Sequence, residues 1–165
     1  MKLKRILFYT LIALSAVWLL FIWWNSTRTG NDSGEMSGSV TALINSYIQK
    51  IFPSLEVSHR FVRKAAHFCE FGVLSALLEA VLWLFLSLKG KGYGIKNRAG
   101  VLLCIPFCTV AALIDEGIQL FSEGRGSSLV DVMIDTLGAL CFALVFFGVL
   151  MLIKMLKARR EKSCQ

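Results

Sequence analysis

Four apolar blocks dominate the sequence, and each is long enough to cross a lipid bilayer. They cover approximately residues 6–24, 65–88, 99–121 and 129–154. A helix needs about 20 mostly apolar residues to span the hydrocarbon core of a membrane. Of the 165 residues, 56% are hydrophobic and only 18% are charged. We therefore predict an all-α integral membrane protein, in which residues 1–165 form one domain built as a four-transmembrane-helix bundle.

The segment between the first two blocks, residues 25–64, is predicted to lie outside the cell. No small-x-small cleavage site precedes Asn25, so we interpret the first block as an uncleaved anchor rather than a signal peptide. Residues Asn25–Ser39 are rich in Gly, Ser and Thr, which predicts a loop. In Ser39–Phe52 apolar residues recur every three or four positions, which is typical of an amphipathic helix, and Pro53 ends it. We expect this extracellular amphipathic helix to lie on the membrane surface or over the bundle.

The distribution of basic residues predicts the orientation. If both termini and the turn at 89–98 lie in the cytoplasm, twelve of the 18 Lys and Arg residues are on the inner side. This excess follows the positive-inside rule. The net charge of +7 does not indicate nucleic-acid binding, because the basic residues stand in short runs beside apolar blocks, where they contact lipid headgroups. The five cysteines follow neither a disulfide nor a zinc spacing, so we interpret them as packing residues.

Titratable residues occur at the predicted outer ends of the second, third and fourth spans. A carboxylate at the centre of a span costs about 2.5–3.5 kcal/mol, and less near the interface. Such groups are tolerated when they face each other, meet a cation or line a wet cavity. We therefore predict one outer-leaflet polar pocket, although the same residues could instead only brace the bundle with salt bridges. The residues assigned to it are Arg63, Lys64, His67, Glu70, Asp115, Glu116, Gln119, Arg125, Asp131 and Asp135.

Three stretches of the sequence resemble motifs of the VanZ-like family. They are RKAAHFCEF at 63–71, DEGIQLF at 115–121 and GRGSSLVD at 124–131. The resemblance extends over approximately residues 23–144, which is most of the chain. Its motifs are specific, because DExxQxF, a Gly-Arg loop and a following Asp are not expected together by chance in one bundle.

The chain departs from the family pattern at three positions. Glu123 replaces the usual Pro, Phe71 replaces a Tyr, and Asp135 stands where Asn is usual. The last change puts a titratable group in place of a neutral one. The family is named for a protein of a glycopeptide-resistance cluster that is linked with low-level tolerance of teicoplanin. The resemblance therefore implies a bacterial plasma-membrane protein that acts in the context of the cell envelope, and it implies no particular reaction.

Binding of an amphiphile is the function that we predict from these residues. An outer-leaflet pocket with Arg63, Lys64 and Arg125 suits a lipid-linked envelope precursor or a lipoglycopeptide, because Arg can bind a phosphate or carboxylate with two hydrogen bonds. The expected partners are membrane lipid and such an amphiphile, without nucleic acid. We predict no cofactor and assign no residue as a metal ligand. The sequence does not indicate an oligomeric state.

Three other functions stay open. The chain could be an intramembrane enzyme that modifies a lipid-linked envelope precursor, by acid–base chemistry or with a divalent metal held by His67 and carboxylates. It contains no HExxH, GxSxG or DDxxD run, and Ser127 and Ser128 are predicted to cap the fourth span. Ion transport is disfavoured, because it needs polar residues across the whole bilayer and only Glu79 extends them toward the inner side. In a structural role, the amphipathic helix would be the docking surface. The candidate catalytic residues are His67, Glu70, Asp115 and Glu116.

Overall fold

Five α-helices form the described structure. The computed structural model describes residues 2–90 and 99–163 of the chain, and no β-strand occurs in these two ranges. This confirms the predicted all-α class. The helices, in chain order, are α1 (Lys2–Ser26), α2 (Gly30–Ile51), α3 (His59–Leu88), α4 (Ala99–Phe121) and α5 (Leu129–Ser163).

Four of these helices are long and apolar enough to cross a membrane. The qualifying segments are Lys2–Ser26, His59–Leu88, Leu103–Phe121 and Leu129–Glu161. They carry large apolar side chains on their outer surfaces: Val145, for example, is 65% exposed. In lipid such exposure is favourable, whereas the helical backbone groups must be satisfied internally. The four predicted spans are therefore confirmed by length and composition, and most of the basic turn predicted at 89–98 lies outside the described residues.

The predicted loop at Asn25–Ser39 is wrong, because α2 begins at Gly30. Thr29 caps the helix: its Oγ1 accepts a hydrogen bond from the backbone N–H of Asp32 at 3.2 Å. Such a cap satisfies an N–H group that the helix itself leaves unpaired. The other end agrees with the prediction, since α2 ends at Ile51, immediately before the cap residue and Pro53.

Two other helices are longer than predicted. Helix α3 begins at His59 rather than near Ala65, because Ser58 Oγ accepts the backbone N–H of Phe61 at 3.2 Å and caps the helix. Helix α5 begins at Leu129, as predicted, and continues past the expected end near Lys154 to Ser163. Its start has the predicted serine cap, in which Ser128 Oγ accepts the backbone N–H of Val130 at 3.2 Å.

Helix α3 lies at the centre of the bundle and contacts each of the other helices. Its closest approach is to α5, where Gly138 lies directly against the backbone carbonyl of Phe68. Small residues let membrane helices pack this closely. Cys108 is fully buried and Cys104 is nearly so, consistent with their predicted packing role. Phe71 and Leu74 complete the adjoining part of the core.

Polar contacts between helices concentrate at one end of the bundle. We call it the α2 end, because it contains α2 together with the end of α1, the start of α3, the end of α4 and the start of α5. Asn45 of α2 holds the linker that precedes α3, because its side chain forms hydrogen bonds of 3.0 and 2.8 Å with both backbone groups of Val57. At the opposite end, Lys4 Nζ donates to Ser87 Oγ at 3.1 Å.

Candidate functional site

Asp115 is the centre of a buried polar network at the α2 end. Its side chain is 0% exposed, and it accepts hydrogen bonds from Ser26 Oγ at 2.6 Å and from Gln119 Nε2 at 2.8 Å. The α4 helix places Gln119 one turn after Asp115, so the two side chains share a face. The network therefore joins the end of α1 to the end of α4.

His67 lies between two carboxylates from different helices. Its Nδ1 atom is 3.9 Å from Glu70 Oε2 on the same helix and 3.9 Å from Asp115 Oδ2 on α4. Glu70 is also held from α1, because Asn25 Nδ2 donates to its Oε1 at 3.5 Å and Trp18 Nε1 donates to its backbone carbonyl at 2.9 Å. An imidazole in this position can hold or transfer a proton beside either carboxylate.

Asp135 adds a third buried carboxylate from α5. It is 0% exposed, and within the described part of the chain neither carboxylate oxygen has a hydrogen-bond partner. One potential ligand atom from each of His67, Asp115 and Asp135 lies within 4.8 Å of the other two. Three different helices thus bring a nitrogen and two carboxylate groups to one point.

Arg125 connects the loop before α5 to α1 and α2. Its Nη1 donates to the backbone carbonyl of Ser26 at 3.4 Å, and its Nη2 donates to Ser33 Oγ. Burial, followed by repulsion from Arg63, lowers the pKa of the Arg125 guanidinium from its ordinary value. The group nevertheless stays charged at neutral pH, because that ordinary value lies far above 7. Arg125 therefore contributes a fixed positive charge at the α2 end.

A cavity of about 440 Å³ opens beside these groups, between the end of α1, the start of α2 and the start of α3. Its apolar lining includes Phe21, Met36, Val40 and Val62. The volume lies within the range of known small-molecule sites, which are mostly apolar with a few placed polar groups. Its polar lining comprises Asn25, Ser33, Ser37, Ser39, Arg63, His67, Glu70 and Arg125.

The structure distributes the ten predicted site residues over three environments. The cavity wall holds Arg63, His67, Glu70 and Arg125. The buried network behind His67 holds Asp115, Gln119 and Asp135.

The remaining three residues connect elements of the bundle. Lys64 Nζ forms an ion pair with Asp131 Oδ1 at 2.5 Å, which links α3 to α5. Glu116 Oε2 accepts the backbone N–H of Ser128 at 2.7 Å and so holds the loop that precedes α5. None of the three lines the large cavity.

Three site residues were not predicted from the sequence. Ser26 hydrogen-bonds Asp115, Asn25 hydrogen-bonds Glu70, and Ser33 accepts from Arg125. The signal that could have indicated Ser26 and Asn25 is their position, since they end an apolar span at the same membrane level as the predicted pocket. Ser33 carries no such signal, because its segment was predicted to be a loop.

A known protein family matches most of the chain. The family model described as VanZ/LLP1 matches residues 10–153, which include all five helices in whole or in part. No curated protein and no solved structure matches the chain. With a family match over most of its length and four helices able to span a bilayer, the chain is a membrane protein that belongs to the VanZ-like family.

Proposed function

We propose that the cavity at the α2 end binds an amphiphile with an anionic polar group, either a lipid-linked envelope compound or a lipoglycopeptide. Such binding would contribute to low-level tolerance of teicoplanin-type drugs in a bacterial plasma membrane. The observation that carries the proposal is the pair of guanidinium groups, Arg63 and Arg125, on the wall of a largely apolar cavity.

The two guanidinium groups suit an anionic ligand because neither is in a close ion pair with a described carboxylate, although Asp115, Glu116 and Glu70 attract Arg125 over a longer distance. The ion pairs of the described residues involve Lys64 and His67, and neither Arg63 nor Arg125 takes part in one. Two positive charges that face one cavity repel each other, so a bound phosphate or carboxylate relieves this repulsion. Arg binds both groups with paired hydrogen bonds.

The apolar lining supports a ligand that also carries a hydrocarbon chain. Phe21 and Val40 line the cavity and are themselves 41% and 48% exposed, so the lining continues onto the outer surface of the helices. With both termini in the cytoplasm, as the distribution of basic residues predicts, this surface lies in the outer leaflet. An acyl or polyprenyl chain could then stay in lipid while its polar group enters the cavity.

The test is the affinity of the purified protein, in lipid nanodiscs, for teicoplanin and for a polyprenyl phosphate. Two probes are needed because either could supply the anionic amphiphile. A charge-assisted hydrogen bond contributes about 1.5–3 kcal/mol. We therefore expect Arg63→Gln to raise the Kd of the true ligand about tenfold to a hundredfold. Arg63 is the better target, because Arg125 also has hydrogen bonds with α1 and α2 that its substitution would break.

Arg60→Gln is the matched control for this experiment. Arg60 lies on the same helix, is exposed and does not line the cavity, so its replacement makes the same change in net charge without changing the site. Equal affinity of wild type and Arg63→Gln for both probes would contradict the proposal. Loss of affinity in Arg60→Gln as well would indicate general charge attraction rather than a site.

Catalysis on a lipid-linked envelope precursor is a second candidate function. It is favoured by one observation: His67 and Glu70 face the cavity and lie 3.9 Å apart, which is a suitable arrangement for an acid–base pair. The test is incubation of the protein with a polyprenyl-linked precursor, followed by mass spectrometry of the lipid. Turnover that disappears in His67→Gln would support catalysis, whereas binding without turnover would reject it.

A further inference from the structure

The network behind the cavity contains two buried carboxylates with oxygen atoms within 4.8 Å of each other. Asp115 and Asp135 are both 0% exposed, and they come from different helices. Two ionised carboxylates in a buried site repel each other strongly, so one of them must be neutralised by a proton or a cation. The structure pairs no described Lys or Arg side chain with either carboxylate: Lys64 pairs with Asp131, and the basic group beside Asp115 is His67, 3.9 Å away.

Asp135 differs from Asp115 in having no internal partner. Asp115 accepts two hydrogen bonds, whereas both oxygens of Asp135 are buried without a hydrogen-bond partner within the described residues. Nδ1 of His67 also has no hydrogen bond there, although Glu70 and Asp115 each lie 3.9 Å from it. A buried polar group without a partner is rare in native proteins and indicates a water, an ion or a functional role. These orphaned atoms belong to the same three-residue group, so one water or ion between them would partner both residues.

We propose that His67, Asp115 and Asp135 bind one divalent transition-metal ion. The three ligand atoms lie within 4.8 Å of one another. Around a tetrahedral Zn²⁺ with bonds of about 2.0–2.2 Å, ligand atoms stand roughly 3.3–3.5 Å apart, so modest side-chain rotations would close the site. The ion would supply the charge that two buried carboxylates need and the partner that Asp135 and His67 lack.

The donor set selects the class of metal. The imidazole nitrogen is a borderline ligand and the two carboxylates are hard ligands. This combination suits Zn²⁺ or Mn²⁺. The three residues include no cysteine, so the site has no thiolate ligand that would favour Cu(I). Glu70, whose Oε2 is also buried without a partner and lies 3.9 Å from His67 Nδ1, provides a further carboxylate beside the three ligands.

Asp135 contributes a carboxylate to this site, and an ionised carboxylate is a stronger ligand for a divalent cation than a neutral amide. The metal site does not depend on the amphiphile binding proposed above. It nevertheless lies next to that cavity, because His67 contributes to both.

The experiment measures metal bound to the full-length protein, purified in detergent without a polyhistidine tag. The protein is stripped with a chelator, incubated with Zn²⁺ or Mn²⁺, desalted and analysed by elemental mass spectrometry. We expect one ion per chain, and a rise in the midpoint of thermal unfolding on addition of the metal. Asp135→Asn should weaken binding at least about tenfold and remove the thermal shift.

Asp131→Asn is the matched control, because Asp131 lies one turn away on the same helix and is paired with Lys64 instead. It should retain one ion per chain. His67→Gln tests the nitrogen ligand. If circular dichroism shows that Asp135→Asn does not fold, His67→Gln is the variant that tests the site. The proposal is overturned if folded wild type binds no stoichiometric ion. It is equally overturned if the folded site variants bind metal as tightly as wild type, since the ion would then be at another place, such as the exposed thiol of Cys69.

Discussion

Ser26 shows at the scale of one residue how the α2 end is held together. Its hydroxyl donates to Asp115 at 2.6 Å, and its backbone carbonyl accepts from Ser122 Oγ at 2.8 Å and from Arg125 Nη1 at 3.4 Å. The residue is 1% exposed, so water cannot replace these contacts. At the end of α1, the side chain of Ser26 thus supports the buried network, and its backbone carbonyl supports the loop before α5.

Ser26→Ala should therefore lower the free energy of unfolding by about 1–3 kcal/mol, because it leaves a buried carboxylate with one hydrogen bond fewer. The measurement is equilibrium unfolding in detergent, followed by circular dichroism. Thr27→Ala is the control, since the exposed Thr27 hydroxyl, immediately after α1, donates to the carbonyl of Trp24 and not to another helix. If the two variants were equally stable, the role assigned to Ser26 would be wrong.

The ion pair of Lys64 and Asp131 should contribute much less. Its two side chains are 33% and 18% exposed, so solvent screens the attraction despite the short distance of 2.5 Å. A double-mutant cycle with Lys64→Gln and Asp131→Asn should give a coupling energy below about 1 kcal/mol. A coupling several times larger would show that this pair, rather than the buried network, stabilises the α2 end.

At the residue scale, the sequence predicted which polar side chains share one face of one helix. The 3.6-residue period places His67 with Glu70 and Asp115 with Gln119, and the structure has both pairs in proximity. It did not predict which side chains meet across helices, because that depends on the rotation of each helix about its axis. The separation of Glu116 from the cavity, for example, follows from such a rotation.

At the scale of the element, the contact between α3 and α5 determines how closely the two polar faces approach. Gly138 lies against the backbone carbonyl of Phe68, and a Cβ atom at this position would overlap that carbonyl. The carbonyl belongs to the residue after His67, and Asp135 is one turn before Gly138. The close approach of the two backbones therefore positions both halves of the proposed metal site.

Gly138→Ala should destabilise the bundle by about 1–3 kcal/mol, since the overlap forces α3 and α5 apart. Gly148→Ala is a matched control on the same helix, where an added methyl group meets nothing within 4 Å. Because Ala favours helix formation over Gly, the control should be as stable as wild type or more so. The measurement is the midpoint of thermal unfolding of both variants in the same detergent. Equal midpoints for Gly138→Ala and Gly148→Ala would contradict the close packing of α3 against α5.

The helices show where sequence patterns suffice and where they fail. Long apolar blocks identify the spans because a bilayer imposes their length and composition. The start of α2 was missed, because Gly30, Gly34 and Gly38 with intervening serines have no helical apolar period. This part of α2 is instead stabilised by its cap at Thr29 and by the contact between Ser33 and Arg125. Such tertiary support is not visible in a single sequence.

At the scale of the whole molecule, polar groups are concentrated at one end of an otherwise apolar bundle. Glu79 is the exception among the buried carboxylates, since it is fully buried in α3 and lies about 13.5 Å along the helix from Glu70. A continuous polar path across the bilayer is therefore not formed by the described residues. This distribution favours a site that opens to one leaflet over a transport pathway.

The predicted orientation places the α2 end outside the cell. In a variant whose natural cysteines are replaced, Glu35→Cys on α2 should react in intact cells with a membrane-impermeant maleimide. Lys157→Cys near the end of α5 should react only after permeabilisation. Both positions are exposed, so accessibility depends on the side of the membrane alone. The opposite labelling pattern would reverse the topology and place the cavity in the inner leaflet.

Tolerance of teicoplanin in cells is the measurement that shows whether the cavity at the α2 end functions as a binding site. Cells expressing wild type, Arg63→Gln or Arg60→Gln would be compared, with membrane levels matched by immunoblot and vancomycin as the related drug without an acyl chain. We predict that wild type and Arg60→Gln raise the inhibitory concentration of teicoplanin, whereas Arg63→Gln does not. Equal protection by Arg63→Gln would contradict this function and would leave the polar groups of the α2 end with a bracing role.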